Sequence, residues 1–259
     1  MNSFQSRWNH IVAWTALGIL CLIIRPDAVP LASSGPSARM RKLPSRTFWA
    51  WERAEDLRAV DPQTTAIAYL DQTILLGWDA VSTPRRQPLT YPSNATLIAV
   101  VRIEAPPGAS LDTVQQQKVV ALLLKSAQRL GIAALQVDFD ATRSQRPFYA
   151  ELLTDLRRQM PADLPLSITA LASWCGRDDW IASLPVDEAV PMLFRMEPDR
   201  RRAAPDAPQM RISEPKCMGS VGISTLEAWP DHMAGKRIYI FADRGWHEDL
   251  SLLADRKLP

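Results

Sequence analysis

Two aspartates close an otherwise apolar stretch, "ALQVDFDAT", at residues 134–142. Burying a carboxylate is costly unless it is paired, so Asp138 and Asp140 at the end of a core-type strand call for a reason. Side chains alternate along a strand: Leu135, Val137 and Phe139 share one face, and Gln136, Asp138 and Asp140 share the other. The preceding strand-like run, "TLIAVVRIE", ends in Arg102 and Glu104, again on one face. Carboxylates crowded into a partly dry site have their proton affinities pushed apart, which divides them into acid and base roles. Asp140, Asp138 and Glu104 are therefore the candidate catalytic residues. Two simpler roles compete. Asp140 can cap the following turn, and Asp138 can be the buried ion-pair partner of Arg102 or Arg195.

Other polar and aromatic residues fall at strand ends in the same way. Glu52 follows "FWAW", Tyr69 lies within "TAIAYLDQTILL", Trp174 follows "PLSITAL", and Arg195 ends "EAVPMLFR". With Arg102 they form the candidate substrate-binding set. Arg195 and Tyr69 would orient a substrate. Of Trp49, Trp51 and Trp174, the last is the best candidate for a stacking platform, because it follows a strand end. Tryptophan is abundant, 9 against 6 Phe and 4 Tyr, and an indole offers sugars a broad apolar face with one donor.

The elements that must carry these residues repeat one pattern. Eight short apolar runs read as strands, at 47–51, 65–76, 96–104, 134–141, 165–171, 188–195, 219–225 and 236–242. Two helices are marked. One opens at Ser110 as N-cap, repeats apolar residues at Val119, Leu122, Leu123, Ala127 and Leu130, and ends at Gly131. The other has Pro147 in its first turn, carries Phe148, Leu152, Leu153 and Leu156, and stops at Pro161. Shorter helices follow Trp180 and Trp246. Strand, helix, strand implies parallel neighbours. The fold class expected is α/β: a small (β/α)8 TIM-like barrel with one or two barrel helices replaced by irregular loops. In such folds active sites gather at the C-terminal strand ends. Pro84, Pro88 and Pro92 forbid a regular helix between residues 77 and 95, so a hairpin or lid belongs there. Residues 196–216, with four prolines, form a second irregular excursion. An open doubly wound sheet is the alternative.

Composition excludes several classes. The 259 residues carry a net charge of +2, which gives no bias toward nucleic acid. Only His10, His232 and His247 are present, too few for a histidine-rich metal site. No cofactor is expected. The uncharged apolar run "IVAWTALGILCLII" behind Arg7 and His10 has the shape of a signal-peptide core or a membrane anchor. Residues 1–28 are read as that segment, 29–45 as a linker and 46–259 as a single domain. The domain would be exported, periplasmic or anchored to the inner membrane facing the periplasm. Cys175 and Cys217 could pair there, but the strand reading opposes it. One follows a strand's C-terminal end and the other precedes a strand's start, at opposite ends of a parallel sheet.

The motifs "FWAWE", "RRQPL", "VVRIE", "QVDFDAT", "LSITALASWC", "DEAVPMLFRM" and "SVGIST" resemble a bacterial family, the domain of unknown function 3142. That resemblance implies no particular activity. A strand ending D-x-D, then a helix, "LPLSITA" and "VPMLF", is more distantly similar to chitinase-like glycoside hydrolase barrels. There an acidic series on the fourth strand ends in a glutamate. Asp138 and Asp140 match the two preceding aspartates, and Thr142 stands at the glutamate's position. Three functions follow as expectations. The first is a cell-envelope glycoside hydrolase acting on an oligosaccharide or polysaccharide, with Asp140 as general acid/base and Glu104 or Asp138 as partner. The second is a non-catalytic glycan-binding or scaffold protein on a degenerate barrel. The third is a carboxylate site for Mg²⁺ or Ca²⁺.

Overall fold

A computed structural model of the chain describes residues 37–176, 178–194, 211–231 and 233–254. The strands are β1 (Arg46–Ala50), β2 (Glu55–Asp56), β3 (Thr65–Leu76), β4 (Ala80–Pro84), β5 (Leu89–Thr90), β6 (Thr96–Glu104), β7 (Ile132–Asp138), β8 (Leu166–Leu171), β9 (Glu188–Met192), β10 (Ser220–Ser224) and β11 (Arg237–Phe241). The helices are α1 (Thr113–Ala127), α2 (Arg146–Gln159), α3 (Pro215–Met218) and α4 (Trp246–Ala254). Eight strands, β1, β3 and β6 to β11, pair in parallel and in chain order, and β1 joins both β11 and β3. The sheet is therefore a closed barrel, and closure rules out the open doubly wound alternative. All eight are strands that the sequence pattern predicts.

Strand alternation divides the core. Ala66, Ala68, Ile98, Val100, Ala134, Val190, Trp49 and Tyr239 fill the barrel interior. Ile74, Leu76, Val101, Leu135 and Val137 face outward beneath α1 and α2. α1 presents Val119, Val120, Leu123 and Ala127 to that layer, and α2 presents Phe148, Tyr149, Leu152, Leu153 and Leu156. Both are the apolar stripe of an amphipathic helix. Asp112, rather than Ser110, caps α1. Its carboxylate accepts from the Gln115 amide at 2.9 Å, and the Ser110 hydroxyl donates to it. A carboxylate at the helix start suits both the free amide and the helix dipole. Gly131, with φ +82°, makes the left-handed turn into β7. On the far wall a second outer cluster packs under α4, where Trp246 stacks on Phe48 at 4.1 Å between ring centroids. The helix expected after Trp180 is a 3-10 turn at Asp179–Ser183.

At the N-terminal end of the barrel, Met40 is fully buried, and Arg237 donates to the carbonyls of Met40, Leu43 and Pro44. Arg237 also pairs with the buried Glu188, which accepts from the Tyr239 hydroxyl at 2.7 Å. Burial pushes the Glu188 carboxyl up, against the pull of Arg237 and Tyr239. This charged plug closes the end opposite the mouth.

Where the prolines forbid a helix, β4 returns antiparallel along β3 as a hairpin. β1 stops opposite Tyr69, while β3 runs on to Leu76 beside β4 and β6. One side of the mouth is thereby raised into a three-stranded wall. A bulge at Asp71 shifts the β3 register between Leu70 and Gln72. A bulge inserts one residue and reverses which positions face inward. Below it Ala66 and Ala68 face the interior. Above it Thr73 and Leu75 sit opposite the inward-facing Arg102 and Glu104. The displaced Asp71 carboxylate is held on the outside by Ser126 and Arg129.

The cysteines overturn the expectation that they stay apart. Cys175 and Cys217 form a disulfide with Cα atoms 5.8 Å apart. Neither lies in a strand. Cys175 belongs to a 3-10 turn that leaves β8, Cys217 to α3, and Cys175 is packed in the outer cluster with Ile181, Leu184 and Ala189. Both connections lie along the outer wall, so the opposite ends of the strands they follow and precede set no distance between them. Closing a loop over a sequence separation of 42 stabilises a fold by about 4 kcal/mol in the chain-entropy account. Reduction, or a C175S/C217S double variant, is expected to lower the melting temperature by roughly 10 °C. A thermal scan unchanged by reductant would contradict the linkage.

Candidate active site

Arg102 is the centre of the mouth. Its Nε donates to Glu104 at 3.0 Å, Nη1 donates to Asp138 at 2.8 Å, and Nη2 lies 3.8 Å from Asp140. Strand geometry produces this convergence. Arg102 and Glu104 are two apart on β6, and the β6–β7 register sets Arg102 opposite Asp138. A planar guanidinium offers donors around its edge, which lets one cation meet several carboxylates. Asp138 is almost wholly buried, and its second oxygen accepts from the Thr169 hydroxyl at 2.6 Å. It is thus the buried ion-pair partner of Arg102.

Asp140 lies two residues beyond the end of β7 and is half-exposed. Its carboxyl is pushed up from the ordinary aspartate value, first by burial and then by the Asp138 charge, with Arg102 opposing. One carboxyl inclined to hold a proton beside an ion-paired one is the arrangement that separates acid from base. Among the described residues, no group of three or more His, Cys, Asp or Glu is arranged to hold a metal ion. A guanidinium occupies the point on which the three carboxylates converge.

Asp138, Asp140 and Arg102 open into a cavity of about 590 Å³, walled by Trp51, Leu171, Ala172, Ser173, Met192, Phe194 and Phe241. Its aromatic side depends on Gly222 of β10, where a Cβ would stand 3.3 Å from the Phe241 ring and 3.5 Å from that of Phe194. On the same inward face of β7 as Asp138, a buried polar chain runs inside the barrel. The Trp49 indole donates to Gln136, and the Gln136 amide donates to Ser167. Buried polar groups of this kind need such partners, and the chain fixes the β7 face that carries Asp138.

The remaining candidates divide. Glu104 lines a second, adjoining cavity of about 350 Å³ that also includes Arg102 and Asp140. Glu52 accepts from the backbone amides of Arg86 and Gln87, both at 2.9 Å, and lies outside the larger cavity's lining. Arg85 donates to the Trp51 and Arg53 carbonyls, so "FWAWE" and "RRQPL" strap the hairpin's return to β1. Tyr69 faces away from the interior, packed against both outer clusters, its hydroxyl pushed up to about 12 by burial and the nearby Asp71. Trp174 is buried in the outer layer, edge-on to Trp180 and beneath the Arg146 guanidinium. The structure brings neither residue to the mouth. Trp51 is the tryptophan that lines it. Arg195 lies outside the described residues. Phe241 went unread in the sequence, although it shares the inward parity of Tyr239 on β11.

The fold and mouth define an α/β barrel with an acidic, aromatic-walled cleft at its C-terminal rim. Residues 93–196 match the family model described as "Domain of unknown function (DUF3142)", the family that the motifs resemble. Comparison with curated proteins finds no match. Among solved structures, the crystal structure of the Bacillus cereus spore cortex-lytic enzyme SleL is similar over 70% of this chain, at 16% identity and a TM-score of 0.44. The chain spans about half, 51%, of that protein's length.

Two stability measurements test the mouth's electrostatics. Removing the cation strands the buried Asp138 charge, so Arg102→Met should cost about 3 kcal/mol in urea unfolding. The R102M/D138N double variant should recover most of that loss, and equal losses in the two variants would contradict the pairing. Asp140 has the opposite sign. Its carboxyl holds a proton more tightly folded than unfolded, so the fold loses stability as pH rises from the ordinary aspartate value through the raised one. Asp140→Asn should therefore stabilise the protein at neutral pH, with the gain vanishing in acid where both states are protonated. A destabilised D140N protein at neutral pH would contradict this.

Proposed function

We propose that the protein is a glycoside hydrolase of the cell envelope, with Asp140 as its general acid. The observation that carries the reading is the placement of a half-exposed Asp140 in the cavity lining beside Asp138 and Glu104, which Arg102 holds, and burial there pushes its carboxyl up. Asp140 donates its proton to the glycosidic oxygen as the bond to the anomeric carbon breaks. Water supplies the new oxygen at that carbon, and a partner carboxylate takes the water's proton. Glu104 suits the partner role, being half-exposed. Asp138, buried and bonded to both Arg102 and Thr169, is the positioning residue that holds the guanidinium. Trp51, half-buried in the cavity wall, supplies the apolar face on which a sugar ring stacks, with Phe241 buried beside it. The disulfide supports an oxidising compartment and hence export of the domain.

A second reading is a glycan-binding barrel without catalysis, and Thr142 favours it. Thr142 and Gln145 form a reciprocal capping box at the turn leading into α2. The position where the chitinase-like series carries its glutamate therefore serves backbone capping here. One experiment separates the two readings: reducing-end release from isolated bacterial envelope polysaccharides, chitosan and cello-oligosaccharides. Asp140→Asn should lower turnover by about a thousandfold while leaving the circular dichroism spectrum unchanged. Glycan binding without release of reducing ends by the native protein would establish the second reading instead.

A further inference from the structure

The cleft continues beyond the cavity that holds Asp138. Arg102 and Asp140 border the larger cavity and also the smaller one, whose other walls include Leu75, Glu104, Phe139, Thr142 and Gln145. The two cavities thus meet across the candidate acid. The smaller one is bounded by the β3 and β6 strands of the raised wall. Leu75 pairs with Val81 across the β3–β4 hairpin, and directly paired residues on antiparallel strands share a face. Their outer-facing neighbours Ile74 and Leu76 are buried against α1, whereas Leu75 and Val81 are exposed. Trp78, in the turn at the tip of this wall, is fully exposed. Lone exposed apolar residues are ordinary, but Leu75 lines the cavity, Val81 is its direct partner and Trp78 stands at the tip of the same hairpin, and three on one hairpin ask for an apolar ligand surface.

Charge narrows what that ligand is. Among the described residues lining the two cavities, the ionisable ones are Glu104, Asp138 and Asp140 against Arg102 alone, which leaves a net negative charge even with Asp140 protonated. The guanidinium is already occupied by these carboxylates. A polyanionic chain would meet unmatched acids there, while a neutral or amine-bearing chain would not.

We infer that the mouth is an extended cleft for the interior of a neutral or amine-bearing polysaccharide. Sugar units lie on both sides of Asp140, and the Leu75–Val81–Trp78 hairpin face is the outermost platform on the wall side. This rests on the glycan reading above and sharpens it: the protein takes chains, not single terminal sugars, and disfavours uronic-acid polymers.

Calorimetric titration with disaccharides and octasaccharides of chitosan, cellulose and polygalacturonate tests it. For chitosan or cellulose fragments, the octasaccharide should bind at least about tenfold more tightly than the disaccharide. Polygalacturonate fragments should be the weakest. Trp78→Ala should cut the octasaccharide-to-disaccharide ratio about fivefold, the loss expected of one stacking platform. Leu130→Ala, at a fully exposed apolar residue in the α1–β7 turn, should leave the ratio as it is. Disaccharides binding as tightly as octasaccharides would overturn the extended cleft and leave the glycan reading standing. No binding by any fragment would remove both. A length dependence untouched by W78A, with W78A instead losing affinity for anionic phospholipid vesicles, would assign the hairpin tip to a membrane surface and overturn the platform.

Discussion

The guanidinium of Arg102 is the contact on which the mouth depends. Three carboxylates on adjacent strands and their loops would repel one another in a partly dry cleft. One cation, planar and edge-donating, meets all three. Its position is fixed from two directions. The β6–β7 register sets it opposite Asp138, and Thr169 on β8 holds the other Asp138 oxygen. Three consecutive barrel strands are thus tied by one ion pair and one hydroxyl. What remains outside that tie is Asp140, the farthest from the guanidinium and the one whose charge is least compensated. The arrangement concentrates unfavourable electrostatics on a single half-exposed carboxyl, a condition suited to a proton donor.

The barrel serves this mouth asymmetrically. Its N-terminal end is sealed by Glu188, Tyr239 and Arg237, whose charges are matched to each other and to backbone carbonyls. Its interior is filled by alanine, branched aliphatic and aromatic residues, with Gln136 and Ser167 linking that packing to the face of Asp138. At the C-terminal rim the wall of β3, β4 and β6 rises on one side, and the bulge at Asp71 turns its apolar residues toward the cleft. Without the bulge, Thr73 and Leu75 would keep the outward parity of Tyr69. Glu52 and Arg85, neither of which lines the two cavities, hold that wall's return strand against the end of β1.

Much of this was legible in the sequence. Apolar runs broken by proline and glycine marked all eight barrel strands, because each strand must bury its outer face under the surrounding layer. The parity of Leu135, Val137 and Phe139 against Gln136 and Asp138 was equally direct. A place at a strand end did not by itself bring a side chain to the mouth. Trp174 follows β8, but the chain turns outward there, and its indole is buried beneath Arg146. Cys175, next to it, meets Cys217 on the outer wall for the same reason. Parity decides Tyr69: it alternates with Ala66 and Ala68, which face the interior, and so packs against the outer clusters. The bulge that reverses parity after Leu70 has no sequence signal beyond a polar Asp-Gln pair within an apolar strand.

The central claim is that burial and the Asp138 charge make Asp140 hold its proton more tightly than an exposed aspartate does, while Arg102 gathers the other carboxylates. Carboxyl-carbon NMR of selectively labelled protein, followed through pH, reads it most directly. The account predicts that the Asp140 midpoint lies above that of an exposed aspartate, and that it climbs further in Arg102→Met, since the cation opposes the rise. An Asp140 midpoint at or below the ordinary aspartate value would contradict it.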